Sequence, residues 1–300
     1  MAASTRIRPW HGVMVATALP LRPDLSVDHD AYAEHVRALI DAGCDGVVPN
    51  GSLGEYQTLT GQERLRVVRT AVEAAGDGSR VMPGVSAYGS GEARHWAERA
   101  AEAGAGSVLL LPPNAYRADD AAVRAHYREV AAVGVPVVAY NNPLDTHVDL
   151  TPALLATLHG EGSIVAVKEF SGDVRRAYRI AERAPGLDLL IGADDVALEL
   201  ALAGAVGWVA GFPNALPGAC VALYRAATGQ DLDLALPLYR ALHPLLRWDS
   251  RTEFVQAVKL AMDVAGRYGG PCRAPRTPLS PEQAAEVRAA TEKALAEGLG

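Results

Sequence analysis

The sequence predicts a (β/α)8 barrel, an α/β TIM barrel, with a C-terminal helical extension, and three observations carry that reading. Eight short apolar runs alternate with longer segments of helical period, as in βα units that build a parallel sheet. The runs are continuous in Val, Ile and Leu, which suits strands covered on both faces. A small-residue turn into a strand recurs as DAGCDGVV, EAGAGSVL and LAGAVGWV, resembling an internal repeat of one βα unit.

In chain order the runs are GVMVATAL (12–19), DGVVPNG (45–51), RVMPGVSA (80–87) and SVLLLPP (107–113). They continue as PVVAYNNP (136–143), IVAVKEF (164–170), LDLLIGA (187–193) and GWVAG (207–211). Amphipathic segments such as HDAYAEHVRALIDAG and GQERLRVVRTAVEAAG separate them. Each of these two closes on a glycine, and Thr60 stands before the second as an N-cap. After the eighth run only helical pattern follows. No low-complexity linker intervenes, so residues 1–228 read as the barrel and 229–300 as an extension packed on it. An open doubly wound sheet is the alternative, disfavoured by eight regular units without a dinucleotide fingerprint.

Composition excludes several functions. The 300 residues carry a formal charge of −7, the wrong sign for a phosphate backbone, so nucleic acid is not an expected partner. The apolar runs are too short to span a bilayer, and MAASTRIRPWHG lacks the apolar stretch of a signal peptide. Cys44, Cys220 and Cys272 are far apart and odd in number, which fits a reduced, cytoplasmic compartment. No Cys/His cluster has metal-ligand spacing, and there is neither GxGxxG after the first strand nor a Walker-type loop. No metal or cofactor is therefore expected. A metal-dependent hydrolase would need His and carboxylates at several strand ends, whereas His35, His95, His126 and His243 fall in helical segments.

Chemistry in a βα barrel sits at the C-terminal ends of the strands. Those ends are Thr17, the loop Asn50–Glu55, Ser86, Pro112, Tyr140, Lys168, Gly192 and Gly211. Lys168, one of only three lysines, closes the apolar run Ile164–Val167. Strand alternation puts it on the face of Ala166, away from Val167 and Glu169. Two readings fit: a poorly solvated amine able to attack a carbonyl, or a rim lysine paired with a carboxylate. Tyr140 ends the preceding run, one strand spacing of about 4.8 Å away. It suits a proton carrier, and equally a core tyrosine bonded to backbone. The GxxGE loop Gly51–Glu55 lets backbone N–H groups converge on a carboxylate. Glu55 itself reads as a cap on the next helix or a brace for the loop.

GxxGE after the second run, YN.P after the fifth and the VKE lysine run together resemble the dihydrodipicolinate synthase/N-acetylneuraminate lyase family. The resemblance runs from Gly12 into the C-terminal helices. It implies that Lys168 forms a Schiff base with a 2-oxo acid or its cyclic imine, that Tyr140 relays protons and that Ser52 assists. It further implies that Gly51, Ser52 and Leu53 hold the substrate carboxylate, that Val209 lines the pocket, and that the enzyme is a homotetramer built as a dimer of dimers.

Three departures narrow the substrate. Leu53 replaces a second hydroxyl, Asn114 stands where the synthases place a tyrosine, and Asp145 stands where they hold a second carboxylate with arginine. GSLGE, YNNP, the stretch Asp194–Glu199, GWVAG, the segment Phe254–Ala261 and Arg273–Arg276 resemble pyrroline-4-hydroxy-2-carboxylate deaminases. That implies dehydration and deamination of 1-pyrroline-4-hydroxy-2-carboxylate to 2,5-dioxopentanoate. The alternatives are an aldolase or dehydratase for a sugar-derived 2-keto-3-deoxy acid, a true dihydrodipicolinate synthase, and a barrel that only senses a 2-oxo acid.

Overall fold

The computed structural model describes residues 8–300; residues 1–7, on which part of the leader-free reading rests, lie outside it. Strand β1 (Gly12–Ala16) is followed by α1 (His29–Asp41), β2 (Gly46–Val48), α2 (Gly61–Ala75), α3 (Ser90–Glu102) and β3 (Val108–Leu110). Next come α4 (Asp120–Ala131), β4 (Val137–Asn141), α5 (Pro143–Thr146), α6 (Pro152–Gly160), β5 (Ala166–Glu169) and α7 (Arg175–Arg183). The barrel part ends with β6 (Asp188–Ile191), α8 (Ala197–Leu202), β7 (Gly207–Ala210) and α9 (Pro217–Thr228). Helices α10 (Leu232–Leu246), α11 (Phe254–Val264) and α12 (Pro281–Ala296) form the extension.

Seven parallel strands pair in the order β2-β1-β7-β6-β5-β4-β3, a nearly closed barrel ringed by helices. The eighth expected strand, 80–87, forms no ladder. It occupies the gap through single parallel bridges, Val47 to Val81 on one edge and Gly84 to Leu109 on the other. Two prolines explain the difference: toward β3, Pro83 has no N–H to donate, although its carbonyl accepts from Leu109 at 2.9 Å, and toward β2, Pro49 accepts from Gly84 at 2.8 Å but has no N–H to return. Gly84 then passes so near the next loop that a Cβ would lie 2.2 Å from the Asn50 carbonyl oxygen.

Local signals set the helices. Thr60 and Glu63 form a reciprocal capping box on α2, and Gly76 at φ +70° ends it; such a cap is worth about 1 kcal/mol. Asp28, Asp119, Thr151 and Ser280 cap α1, α4, α6 and α12 with their side-chain oxygens.

Strand alternation divides the core in two. Outward-facing residues such as Val13, Val15, Val137, Val167 and Ile191 pack under the helices. Inward-facing Met14, Val138, Ala166, Leu190 and Val209 fill the barrel, and Trp10 joins them. The Trp10 indole donates to Asp188 at 2.7 Å, latching the N-terminal segment onto the start of β6. In the extension, α10 packs on α9, and α12 packs on α10 and α11. Among the described residues, no helix is long and apolar enough to cross a membrane.

Candidate active site

The β4–β5 register sets Tyr140 directly beside Lys168. Both side chains face a cavity of about 430 Å³ that the loops after the strands enclose. Lys168 is 6 % exposed and has no carboxylate within ion-pair distance among the described residues. Its Nζ lies 4.3 Å from the Tyr140 ring centroid and 5.6 Å from that of Phe170. Burial holds its pKa below the ordinary lysine value, against the opposing pull of Asp249 and Asp194. The amine is thus shifted toward its neutral, nucleophilic form rather than locked in an ion pair. Gly192 makes room for the stem, since a Cβ there would sit 3.0 Å from Lys168 Cγ.

The Tyr140 hydroxyl accepts from Asn142 Nδ2 at 3.4 Å instead of bonding to backbone, and burial raises its pKa. Asn142 is held in turn: it caps α5, and its Nδ2 donates to Asp145 Oδ2 at 2.8 Å. Glu169, on the opposite face of β5 as alternation requires, accepts from Asn141 at 2.9 Å and from the Ser171 amide at 2.8 Å.

Gly51, Ser52 and Leu53 line the same cavity. Among the described residues, the amides of Ser52 and Leu53 donate to no internal acceptor, so two N–H groups stay available to an anion. The loop is braced by Glu55, whose backbone is left-handed at φ +54°. Its buried carboxylate accepts from Lys259 Nζ at 2.7 Å and from the Arg273 amide at 2.9 Å. Of the two sequence readings for Glu55, bracing is therefore the one realised, and Glu63 does the capping.

One expected residue sits elsewhere. Val209 is buried in the inward-facing cluster with Met14 and Leu190, and at the end of β7 it is Gly211 that lines the cavity. A valine side chain beneath the mouth supports the pocket without facing it. Asn114 and Asp145, the other departures, do line the cavity.

Part of the wall comes from residues that strand-end reasoning missed: Asp249, Ser250, Arg251, Thr252, Phe254 and Arg276, all from the extension. Asp249 approaches Asp194. It accepts the Asp194 amide at 3.2 Å, while the Asp194 carboxylate accepts from Trp208 Nε1 at 2.9 Å and from the amides of Gly211 and Phe212 at 3.0 and 3.1 Å. Burial raises both acids, Asp194 to about 6 and Asp249 well above the usual carboxylate range. Arg251 lies over the Trp248 ring at 4.0 Å, and Arg276 over Phe254 at 5.3 Å.

A desolvated amine next to a phenol, facing free amides across the mouth of a βα barrel, is equipped to hold a 2-oxo acid by its carboxylate and condense with its carbonyl. That defines the class: a lyase of the class I aldolase type. The model of the dihydrodipicolinate synthetase family matches residues 9–294, and the chain belongs to that family. Its relatives include the 4-hydroxy-tetrahydrodipicolinate synthase of Acidothermus cellulolyticus, 36% identical and aligned over 96% of this chain and 94% of that one. A DapA-like lyase of Halobacterium salinarum is 33% identical, over 93% and 92% of the two chains. Among solved structures, dihydrodipicolinate synthase from Aquifex aeolicus superposes with a TM-score of 0.89 at 28% identity, over 97% of this chain and 99% of that one. A prophage protein of the family from E. coli K12, solved with pyruvate, gives 0.89 at 25% identity over the same shares, 97% and 99%.

Proposed function

We propose that the enzyme dehydrates and deaminates 1-pyrroline-4-hydroxy-2-carboxylate to 2,5-dioxopentanoate through an imine on Lys168. The carrying observation is the charge of the loop after β4. Asp145, held by Asn142 at 2.8 Å, puts a negative group on the cavity wall. A carboxylate there disfavours a substrate with a second carboxylate at that position, whereas the hydroxy-pyrroline has only one. Ser52 and Leu53 bind that carboxylate, and Lys168 attacks C2 and opens the ring by transimination. The protonated imine acidifies the C3–H, Tyr140 carries that proton, and the 4-hydroxyl departs. Tautomerisation toward C5 and attack by water then release ammonia, and a second water frees Lys168.

Intact mass after borohydride reduction, with pyruvate and separately with the hydroxy-pyrroline, tests this reading. The wild type should gain an adduct that Lys168→Ala lacks, and should release ammonia from the pyrroline without borohydride. An adduct without ammonia release would sink the deaminase reading and leave the Schiff-base class intact.

A second reading has its own support. Arg276 has no carboxylate partner within ion-pair distance among the described residues, and with Ser250, Thr252 and Asn114 it adds polar groups to the outer wall. These groups suit the hydroxyls of a sugar-derived 2-keto-3-deoxy acid. Formation of pyruvate or a dehydrated keto acid from such compounds would favour it.

A further inference from the structure

We propose that Asp249 is the acid that protonates the departing 4-hydroxyl, an assignment that rests on the deaminase reading. Hydroxide is a poor leaving group, so the elimination needs a proton donor near C4. Lys168 is committed to C2 and Tyr140 to the C3 proton. Both sit on the β4–β5 side of the cavity, and in the strand order the ends of β6 and β7 lie on the other side of Lys168. That side holds Asp194, Gly211 and, reaching in from the turn after α10, Asp249.

Of the two carboxyls on the cavity wall, only Asp249 is placed to carry a proton. The Asp145 carboxylate is already engaged as an acceptor by Asn142 Nδ2 at 2.8 Å, and its N–H is held by the same residue at 3.2 Å. Asp249 faces a second carboxylate. Asp194 takes three N–H donors and so keeps the negative charge, while Asp249 takes a single amide donor at 3.2 Å. Both carboxyls flank Gly211, and of two neighbouring buried acids the proton stays on the one with fewer donors. Gly211 permits the approach. A Cβ there would lie 3.2 Å from Asp249 Oδ1 and 3.5 Å from Asp194 Oδ2.

The step balances. The enamine nitrogen lone pair re-forms the C2=N bond, the C2=C3 electrons become C3=C4, and the C4–O bond breaks with its electron pair on oxygen. That oxygen takes the Asp249 proton and leaves as water. The resulting carboxylate recovers a proton from the water that later attacks the C5 imine.

The full-length Asp249→Asn variant separates this role from a supporting one. It should still form the borohydride-trapped pyruvate adduct. It should also still exchange the C3 protons of 1-pyrroline-2-carboxylate, which has no hydroxyl to lose, in deuterium oxide. Ammonia release from the 4-hydroxy substrate should fall about 100-fold or more. The 4-chloro analogue, whose chloride leaves unprotonated, should restore release, and Asp249→Glu should retain more activity than Asp249→Asn. Wild-type ammonia release in Asp249→Asn overturns the assignment, as does loss of C3 exchange in step with release or failure of the chloro analogue to rescue. A wild type that forms the adduct yet releases no ammonia overturns the deaminase reading together with this assignment.

Discussion

In the proposed reaction Lys168 and Tyr140 divide the work by what surrounds each atom. The amine owes its nucleophilicity to burial without a close counter-ion, so its titration should be visible in kinetics. Adduct formation with pyruvate should persist at neutral pH and decline on acidification as the amine is protonated. A profile that rises only near about 10.4 would mean an ordinary lysine. Tyr140→Phe keeps the ring against Phe170 and removes only the hydroxyl proposed to carry the proton. Its kcat should fall by about 10² to 10⁴, with adduct formation intact by mass. These two residues were legible in the sequence because each closes an apolar run, and the fold places run ends at the mouth. Asp249 was not, since it lies in a turn between two helices where no strand periodicity points toward the cavity. Nor could the pairing of Lys259 with Glu55 be read, since the partners are 204 residues apart.

Among the elements, the loop after β2 depends most on distant chain. Replacing Lys259 by Met leaves the Glu55 carboxylate buried without its cation, which should cost about 3–5 kcal/mol in urea unfolding. The loop amides would then lose their setting, and the KM for a 2-oxo acid should rise alongside. Unchanged stability would show that Glu55 is held by the Arg273 amide alone. The irregular third segment is the second sensitive place. Gly84→Ala would force a Cβ against the Asn50 carbonyl, and overpacking of this kind costs about 1–3 kcal/mol. Circular dichroism melts of Gly84→Ala should show the loss. The eight-run count anticipated this segment's position, and Pro83 within the run, facing β3, with Pro49 on the β2 side is the reason it supports bridges but no ladder.

For the molecule as a whole, one buried histidine ties folding to pH. His35 on α1 donates to Asn214 Oδ1 at 2.8 Å, and Asn214 also binds the end of β1 through the Ala18 amide and the Ala16 carbonyl. Burial lowers the His35 pKa to about 4. The unfolded chain, titrating near 6.5, therefore binds the proton more readily than the native state. The contribution of this residue should be level above about 6.5 and decline as pH falls toward 4, by on the order of 2–3 kcal/mol. Urea unfolding of wild type and His35→Gln at neutral and mildly acidic pH checks it, and equal slopes would remove His35 as the cause. The barrel and its helical extension were legible from periodicity alone, but how far the extension enters the mouth was not.

That dependence bears on biosynthesis. Glu55 is made early, yet both its partners, Lys259 and the amide of Arg273, emerge more than two hundred residues later. A ribosome-bound chain lacking them can pair its strands but holds a carboxylate with no cation beneath the loop proposed to grip the substrate. On the proposed roles, substrate affinity arrives last, with the final helices, and a truncated or stalled chain carries Lys168 without a working mouth.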